Sequence, residues 1–315
     1  MNRYFFLQSC ISNLIKSSKG KFIIKILCNE SFEPFIRQQS NNGIFNNVKF
    51  VTSGKSDLII VLNKYNYINK YANRGIPIYL WLIEPPDYLT MYTENYDLSV
   101  YEKIYTCKFL VNVSKDKQVI TPPFVHWHHA YNSRTNYFKN GIMSFSNLVN
   151  HNTYKNKANK VFILDSHIKN IIGHSSRIAF IDNIKNINFD LYGSKLWKSH
   201  TRYKTMLNNF KLITQEKYKY SLVIENQLDD IYWSEKITDS FLANSFPIYY
   251  GSNSIKEYFP DGSYYNFNIL ENATSDIDYL YKNVMDFVNI TSMQEARELV
   301  IYKYNILNIF SNLKF

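Results

Sequence analysis

The feature of this sequence that most constrains its fold is a set of short apolar runs that each end in polar residues or glycine. Six such runs are "KFIIKILC" (21–28), "SDLIIVLN" (56–63), "IPIYLWLIE" (76–84), "KVFILDS" (160–166), "YSLVIEN" (220–226) and "FPIYYG" (246–251). Runs that are apolar throughout, rather than alternately, are typical of strands covered on both faces, as in parallel sheets with crossover helices. The sequence therefore predicts an α/β fold.

Further strands and helices are predicted between and after these runs. Two more strand regions are "YEKIYTCKFLVN" (101–112) and "FDLYG" (189–193). Apolar residues at positions i, i+3 and i+4 predict helices over 175–186, 234–245, 276–290 and 294–310. The alternation of strand and helix in both halves favours two α/β layers.

A polar stretch rich in Asn, Ser and Lys separates the two sets of strands at residues 130–160. We place a domain boundary inside it, which gives Rossmann-like domains of residues 1–150 and 151–315. Two domains of this kind leave a cleft between them. In parallel sheets ligands bind at the carboxyl ends of the strands, so the cleft is the expected site.

The charge of the chain indicates a phosphate-bearing partner. There are 36 Lys and Arg residues against 26 Asp and Glu, a net charge of +10 with a pI near 9.2. Such a surplus suits nucleic acid, an anionic membrane surface or a nucleotide ligand, and it is also typical of an ordinary solvated surface. The sequence has no run of five basic residues and no nucleic-acid-binding motif, so we expect no nucleic-acid partner.

Cysteine usage and hydropathy bear on the compartment. Cys10, Cys28 and Cys107 stand far apart without a CxxC pair, which argues against a disulfide framework or a structural zinc site and favours a reducing, cytoplasmic setting. No apolar stretch approaches the roughly 18 residues of a membrane helix. Apolar residues at helical spacing within 6–15 predict a packing face, with peripheral attachment to a membrane as the alternative.

Polar residues follow the apolar run at 220–224. Glu225 and Asn226 end that predicted strand, and Ser234 is a good N-cap for a helix with Glu235 and Lys236 in its first turn. A Lys there opposes the helix dipole at a cost of about 0.3–1 kcal/mol, and a bound diphosphate would remove that cost. The alternative is that Lys236 is solvated and Glu235 simply favours the helix start. Neither a P-loop nor a GxGxxG motif occurs.

Residues 220–259, "YSLVIENQLDDIYWSEKITDSFLANSFPIYYGSNSIKEYF", resemble the donor-binding segment of glycosyltransferase family 10, the α-1,3/4-fucosyltransferases. The shared elements are Glu-Asn at a strand end, Tyr-x-Ser-Glu-Lys at a helix start, and Pro-Ile-x-x-Gly after it. The resemblance extends, with gaps, from about residue 56 to 270. It includes four further segments: "GHSSRIAFIDNI", "FDLYGS", "IPIYLWLIEPPDYL" and "TPPFVHWHHA".

The resemblance implies a GT-B-type fold with an N-terminal acceptor domain and a C-terminal donor domain. It implies inverting transfer of fucose from GDP-fucose to a hydroxyl of an oligosaccharide or glycolipid, such as lipopolysaccharide or another glycoconjugate. Glu84 matches the general base of the family. The resemblance and the strand-end positions together give these candidate donor-binding residues: Arg177, Lys195, Glu225, Asn226, Tyr232, Ser234, Glu235 and Lys236.

One departure from the family pattern concerns the phosphates. Ser194 stands where family members usually carry Arg after Tyr-Gly, and Lys195 and Lys198 follow it. Lys can neutralise phosphate but lacks the planar fork of Arg. Two alternatives therefore stay open: a catalytically silent GDP-sugar-binding protein and a transferase of a different GDP-sugar.

No metal site or metal requirement is expected. Asp229 and Asp230 form a close carboxylate pair near the predicted site, which we interpret as a solvated loop. His126, His128 and His129 have i, i+2, i+3 spacing beside a Trp, which is not a standard ligand set and favours an acceptor-binding surface or packing.

Overall fold

The computed structural model describes most of the chain. The described residues are 22–94, 96–128, 145–151, 156–169, 172–184, 187–207, 211–268, 284 and 288–313. The predicted amphipathic segment at 6–15, most of the predicted helix at 276–290 and His129 lie outside these ranges.

The first sheet contains seven strands from residues 22–120. In chain order they are β1 (Phe22–Leu27), β2 (Ile44–Phe45), β3 (Val48–Val51), β4 (Leu58–Leu62), β5 (Ile78–Trp81), β6 (Lys103–Thr106) and β7 (Gln118–Ile120). Their order in the sheet is β2-β3-β1-β4-β5-β6-β7. All neighbours pair in parallel except β2 and β3, which form an antiparallel hairpin at one edge.

The second sheet contains six strands from residues 158–266. They are β8 (Ala158–Asp165), β9 (Phe189–Gly193), β10 (Tyr203–Thr205), β11 (Tyr218–Ile224), β12 (Phe246–Tyr250) and β13 (Tyr265–Asn266). The order is β10-β9-β8-β11-β12-β13, and every pair is parallel. The predicted α/β architecture with two parallel-dominated sheets is therefore confirmed.

Helices connect these strands. The described α-helices are α1 (Glu33–Gln39), α2 (Thr90–Thr93), α3 (Phe145–Asn150), α4 (Ile172–Asn183), α5 (Lys211–Gln215), α6 (Glu235–Leu242), α7 (Ile255–Tyr258), α8 (Ile290–Glu298) and α9 (Ile306–Ser311). A π-helical turn, Leu299–Lys303, joins the last two, so the helix predicted over 294–310 is divided in two. Within the described ranges, no helix is both long and apolar enough to cross a membrane.

The apolar runs form strands because both of their faces are covered. All five residues of β4 are buried. Leu58 and Ile60 pack into one hydrophobic cluster, and Ile59 and Val61 pack into another on the opposite face of the sheet. Continuous burial of this kind is what distinguishes a central parallel strand from an alternating one.

The last helix packs against the first sheet. The Phe310 ring in α9 meets Trp81 of β5 with ring centroids 5.0 Å apart, and the side-chain amide of Asn305 donates to the carbonyl of Gln39 over 2.8 Å. The helix α9 therefore packs against the first half of the chain. The assignment of domains to residues 1–150 and 151–315 stays a prediction.

Candidate active site

A cavity of about 530 Å³ lies between the two sheets. Its first wall consists of residues that follow strands of the first sheet, including Asn29, Asn63 and Glu84, together with His126 and His128 from the segment after β7. Its second wall consists of residues after β11: Asn226, Tyr232, Glu235 and Lys236. Because the carboxyl ends of parallel strands from both sheets meet here, the cavity has the position expected of a ligand site in this type of fold.

Glu84 is held at the exit of β5. Its carboxylate Oε1 accepts a hydrogen bond from the side-chain amide of Asn63 over 3.3 Å. Burial raises the pKa of Glu84, and the neighbouring charge of Glu235 adds to that effect. Lys236 and the hydrogen bond from Asn63 act in the opposite direction on the same pKa, but do not cancel the rise. A carboxylate with a raised pKa is a stronger base, which suits proton abstraction.

Ser234 and Glu225 fix the start of α6. The Ser234 hydroxyl accepts a hydrogen bond from the backbone N–H of Lys236, which confirms Ser234 as the N-cap. The buried carboxylate of Glu225 accepts from the Ser234 backbone N–H over 2.9 Å and from its hydroxyl over 2.6 Å. Glu225 therefore joins the end of β11 to the beginning of α6 and sits behind the cavity wall.

The ammonium of Lys236 is paired with protein carboxylates. It lies 3.5 Å from Glu225 Oε2 and 3.8 Å from Glu235 Oε1. Burial acts to lower the pKa of Lys236, but Glu235 and Glu225 outweigh it and raise that pKa. The sequence suggested a bound anion to offset the Lys at the helix start; here the two carboxylates provide that compensation.

Glu235 carries its charge despite burial. Burial acts to raise the pKa of Glu235, but Lys236 and His128 outweigh it and hold that pKa well below its usual range. His128 Nδ1 lies 3.8 Å from Glu235 Oε1, so this contact joins the two walls of the cavity. Glu235 is thus an ionised carboxylate between a lysine of one half and a histidine of the other.

Arg177 orients Asn226 from behind. The Arg177 guanidinium in α4 lies 2.5 Å from Asp165 at the end of β8 and donates to Asn226 Oδ1 over 2.9 Å. Asp165 also accepts from Trp197 Nε1 over 3.0 Å. Arg177 is buried and engaged in this network, and it does not line the cavity.

Two glycines permit the close packing of these strand ends. A Cβ on Gly251 would lie 2.2 Å from the Tyr249 hydroxyl and 2.7 Å from Glu225 Cγ. Gly193 has a φ of +124°, and a Cβ there would lie 1.9 Å from the backbone oxygen of Asp165. Both positions require glycine, which explains Pro-Ile-x-x-Gly and Tyr-Gly as packing elements of the site.

The structure thus separates the nine candidate site residues into three groups. Those that line the cavity are Glu84, Asn226, Tyr232, Glu235 and Lys236. Those that support the lining from behind are Arg177, Glu225 and Ser234. Lys195 is exposed on a short 3-10 turn, Lys195–Trp197, and is outside the lining.

Sequence reasoning missed several polar residues of this region. Asn63 and Asp165 each end an apolar run, so the signal that drew attention to Glu225 also applied to them. Gln227 and Asp87 exchange two hydrogen bonds of 2.9 Å between the segments that follow β11 and β5, from Asp87 N–H to Gln227 Oε1 and from Gln227 Nε2 to Asp87 Oδ1. No local pattern in the sequence pairs these two residues, because 140 positions separate them.

The carboxylates near Tyr232 do not form a metal cluster. Asp229 is partly buried rather than solvated, and its Oδ1 accepts from the backbone N–H groups of Ile231 and Tyr232. Asp230 is exposed. Among the described residues, no group of three or more His, Cys, Asp or Glu side chains is arranged to hold a metal ion.

His126 and His128 contribute to the first wall instead. The His126 ring is buried and lies 4.1 Å from the ring of Phe35 and 4.9 Å from that of His128, measured between centroids. Burial holds the pKa of His126 well below its usual range, so the ring is neutral near pH 7. This pair is an aromatic surface of the cavity.

The two parallel-dominated sheets, with a polar cavity at the carboxyl ends of their strands, form the α/β arrangement predicted for a protein of the GT-B type. Residues 153–292 match the family model described as glycosyltransferase family 10 (fucosyltransferase), C-terminal region. This match includes residues 220–259, so the resemblance to glycosyltransferase family 10 predicted for that segment is confirmed. The resemblance of the first half, including Glu84, lies outside the matched segment and stays a prediction.

Similar proteins include known fucosyltransferases. An α-(1,3)-fucosyltransferase of Helicobacter pylori is 36% identical over 64 residues, which are 20% of this chain and 13% of that relative. The chain thus matches only a small part of that relative's length. Crystal structures of an α1,3-fucosyltransferase align over 92% of this chain and 84% of that chain (16% identity, TM-score 0.46), and, with GDP-fucose, over 91% and 92% (16%, 0.45).

A more distant similarity is to the glycosyltransferase SnogD from Streptomyces nogalater. It covers 81% of this chain and 73% of that chain, with 10% identity and a TM-score of 0.38. The fold class itself rests on the strand order and pairing described above.

Proposed function

We propose that this chain is an inverting glycosyltransferase that transfers fucose from GDP-fucose to a glycan hydroxyl, with an oligosaccharide or glycolipid as acceptor. The observation that carries the proposal is the placement of Glu84 and the Glu235–Lys236 pair on opposite walls of one cavity. The match of residues 153–292 to the family 10 model supports the choice of donor.

In the proposed reaction, a glycan hydroxyl attacks the anomeric carbon of the donor sugar. Glu84 takes the hydroxyl proton while the new C–O bond forms and the bond from the anomeric carbon to GDP breaks. GDP leaves with the bonding electrons. The raised pKa of Glu84 favours this proton transfer, because burial strengthens the carboxylate as a base. A single displacement of this kind inverts the anomeric centre.

The second wall supports the donor in this proposal. Among the described residues of the second wall, Lys236 is the lysine that lines the cavity. It stands at the start of α6, where the helix dipole also favours negative charge. Its ammonium would lie near the diphosphate and stabilise the leaving GDP. Asn226 and Tyr232 supply polar groups for sugar or ribose hydroxyls, and Arg177 keeps the Asn226 amide in one orientation.

One observation favours the alternative of a silent GDP-sugar-binding protein. Among the described residues that line the cavity, the carboxylates of Glu30, Glu84 and Glu235 outnumber the ammonium groups of Lys64 and Lys236. Ser194 stands where the family usually has Arg, and Arg177 is already paired with Asp165. In the transition state, a site with few free cations would stabilise the negative charge on the leaving diphosphate less than a site with Arg would.

The decisive experiment measures GDP release from a panel of GDP-sugars, with and without a lactosamine-type acceptor. The proposal expects GDP-fucose turnover that rises when acceptor is added. Turnover with another GDP-sugar alone would overturn the choice of fucose. Donor binding without release of GDP under either condition would favour the silent binding protein.

The same assay tests for a metal requirement. We expect turnover in the presence of a chelator, because the Lys236 ammonium and the start of α6 can contact the diphosphate directly, without a bridging metal ion. Activity that disappears with chelator and returns only with manganese would instead assign a role to Asp229 and Asp230.

A further inference from the structure

Asn63 lies directly after β4, beside the strand that leads to Glu84. Its side-chain amide forms two hydrogen bonds to the segment that follows β5. Oδ1 accepts from the backbone N–H of Ile83 over 2.8 Å, and Nδ2 donates to Glu84 Oε1 over 3.3 Å. One side chain thus fixes both the backbone before Glu84 and the carboxylate itself.

The backbone of Asn63 is suited to this task. Its φ of +54° places it in the left-handed region, where Asn is among the better-tolerated residues. Its own N–H donates to the carbonyl of Trp81 over 2.9 Å, which extends the pairing of β4 with β5 beyond the last strand residue. Both the backbone and the side chain of Asn63 are therefore fixed relative to Glu84, and Asn63 itself lines the cavity.

We propose that Asn63 is a positioning residue for the carboxylate of Glu84. Its amide occupies Oε1, and no described residue donates a hydrogen bond to Oε2, so Oε2 is the oxygen presented to the acceptor hydroxyl. This inference rests on the proposed function, in which Glu84 is the general base. It adds to that function a residue which selects the oxygen that receives the proton.

The charge of Glu84 also depends on other groups, and any test must separate Asn63 from them. The titratable and charged groups that face Glu84 from the surrounding elements are Tyr92, Tyr232, Glu235 and Lys236, and the Cys107 thiol contacts the Glu84 backbone oxygen. All of these are unchanged when only residue 63 is substituted.

Two substitutions remove the amide donor while keeping a residue that tolerates the left-handed backbone. Asn63→Asp retains an oxygen that can accept from Ile83 but places a second carboxylate beside Glu84. Asn63→Gly removes the side chain and keeps the backbone freedom. A hydrogen bond to a carboxylate lowers its pKa and a like charge raises it, so both variants raise the pKa of Glu84, and Asp raises it more.

The primary measurement is the titration of the Glu84 carboxyl carbon by NMR in protein labelled with ¹³C-glutamate, assigned with Glu84→Gln. We expect the pKa of Glu84 to rise by about one unit in Asn63→Asp and by less in Asn63→Gly. In turnover assays, kcat should fall about 10- to 100-fold, the usual effect of a misplaced catalytic group. The acidic limb of the kcat profile should move to higher pH, and GDP-fucose affinity should stay near the wild-type value.

Asn47→Asp is the matched control. Asn47 is an exposed residue in the β2–β3 turn, and its φ of +65° is also left-handed. Asn47→Asp adds the same charge in the same half of the chain as Asn63→Asp. This control should leave both the Glu84 titration and kcat unchanged. A shift as large as that of Asn63→Asp would mean that general charge, not contact, governs Glu84.

The outcomes separate this inference from the proposed function. Unchanged Glu84 titrations in both Asn63 variants overturn the inference even where transferase activity is present. Loss of kcat with an equal loss of donor affinity and of the free energy of unfolding also overturns it, since that pattern indicates a structural role. If the wild-type protein turns over no GDP-sugar, the proposed function fails, while the NMR titration still shows whether Asn63 controls Glu84.

Discussion

The two halves of the molecule differ in how many contacts hold their polar side chains at the cavity. In the second half, Lys236 is surrounded by Ser234, Glu225 and Glu235, and each of these contacts lies within one strand end and one helix start. In the first half, the carboxylate of Glu84 has one described hydrogen-bond donor, Asn63.

This difference corresponds to two chemical tasks. A group that binds a charged ligand benefits from fixed dipoles and ion pairs, because a preorganised site needs no rearrangement when charge develops. A general base must accept a proton, so several strong donors on its oxygens would lower its pKa and weaken it. Dense pairing in the second half and sparse pairing around Glu84 are therefore what the proposed division of labour requires.

The strongest test of the first half is Glu84→Gln. This change keeps the shape of the side chain and removes the basic oxygen, so kcat should fall by about 10²–10⁴. GDP-fucose affinity, measured by calorimetry, should stay near that of the wild type, because the proposed donor contacts belong to the other half. Normal turnover in this variant would place the base elsewhere.

The pH dependence sharpens the same test. The base acts in its deprotonated form, and burial raises the pKa of Glu84, so kcat should increase with pH through that raised value. The acidic limb should therefore lie above the usual range of a glutamate, about 4.3. A limb at the ordinary value, or one that persists unchanged in Glu84→Gln, would contradict the assignment.

A large effect on stability is expected from Gly193→Ala in the second half. The new Cβ would lie 1.9 Å from the Asp165 backbone oxygen at a φ of +124°. Backbone strain and overpacking together should lower the free energy of unfolding by about 2–4 kcal/mol, as measured by urea denaturation. Gly75→Ala is the control: its φ is +64° but no atom lies within 4 Å, so it should cost about 1–2 kcal/mol. Equal losses would mean that the contact with Asp165 is unimportant.

Lys236→Ala tests whether donor binding resides in the second half. Loss of a charge-assisted hydrogen bond should weaken GDP-fucose binding by about 1.5–3 kcal/mol. Lys64→Ala removes a lysine from the opposite wall of the same cavity and should leave donor affinity near that of the wild type. Equal weakening by both substitutions would show that the donor contacts both halves alike.

The smallest expected effect concerns the contact that joins the halves. Asp87 and Gln227 exchange two exposed hydrogen bonds. A double-mutant cycle of Asp87→Ala and Gln227→Ala should give a coupling of about 0.5–1 kcal/mol in the free energy of unfolding, if the halves unfold together. Additive effects would indicate that the pair does not hold the two walls together.

Short-range patterns in the sequence predicted the central strands of both sheets and the start of α6. Every residue of β4 and of β12 is buried, so these strands appear in the sequence as unbroken apolar runs. Ser234 was recognisable as an N-cap because its hydroxyl bonds to an N–H only two residues away. The apolar run and the helix cap both depend on residues close together in the sequence, so sequence patterns alone predict them.

The edge strands were not predicted because they are short and only partly buried. β2 and β13 contain two residues each, and β10 contains three with mostly exposed side chains. Strands of this length carry neither an apolar run nor a clear alternation. Their pairing with a neighbour, rather than their own sequence, makes them strands.

The sequence by itself determined which segments are buried strands, which helix begins at Ser234, and which polar residues stand at strand ends. Tertiary structure alone decided that Glu84 and Lys236 share one cavity and that Arg177 supports Asn226 from behind. Burial and helix caps depend on neighbours along the chain, whereas these contacts join residues dozens of positions apart. The shared cavity exists because the strand ends of the two sheets meet, and the support of Asn226 exists because α4 packs beside the end of β11.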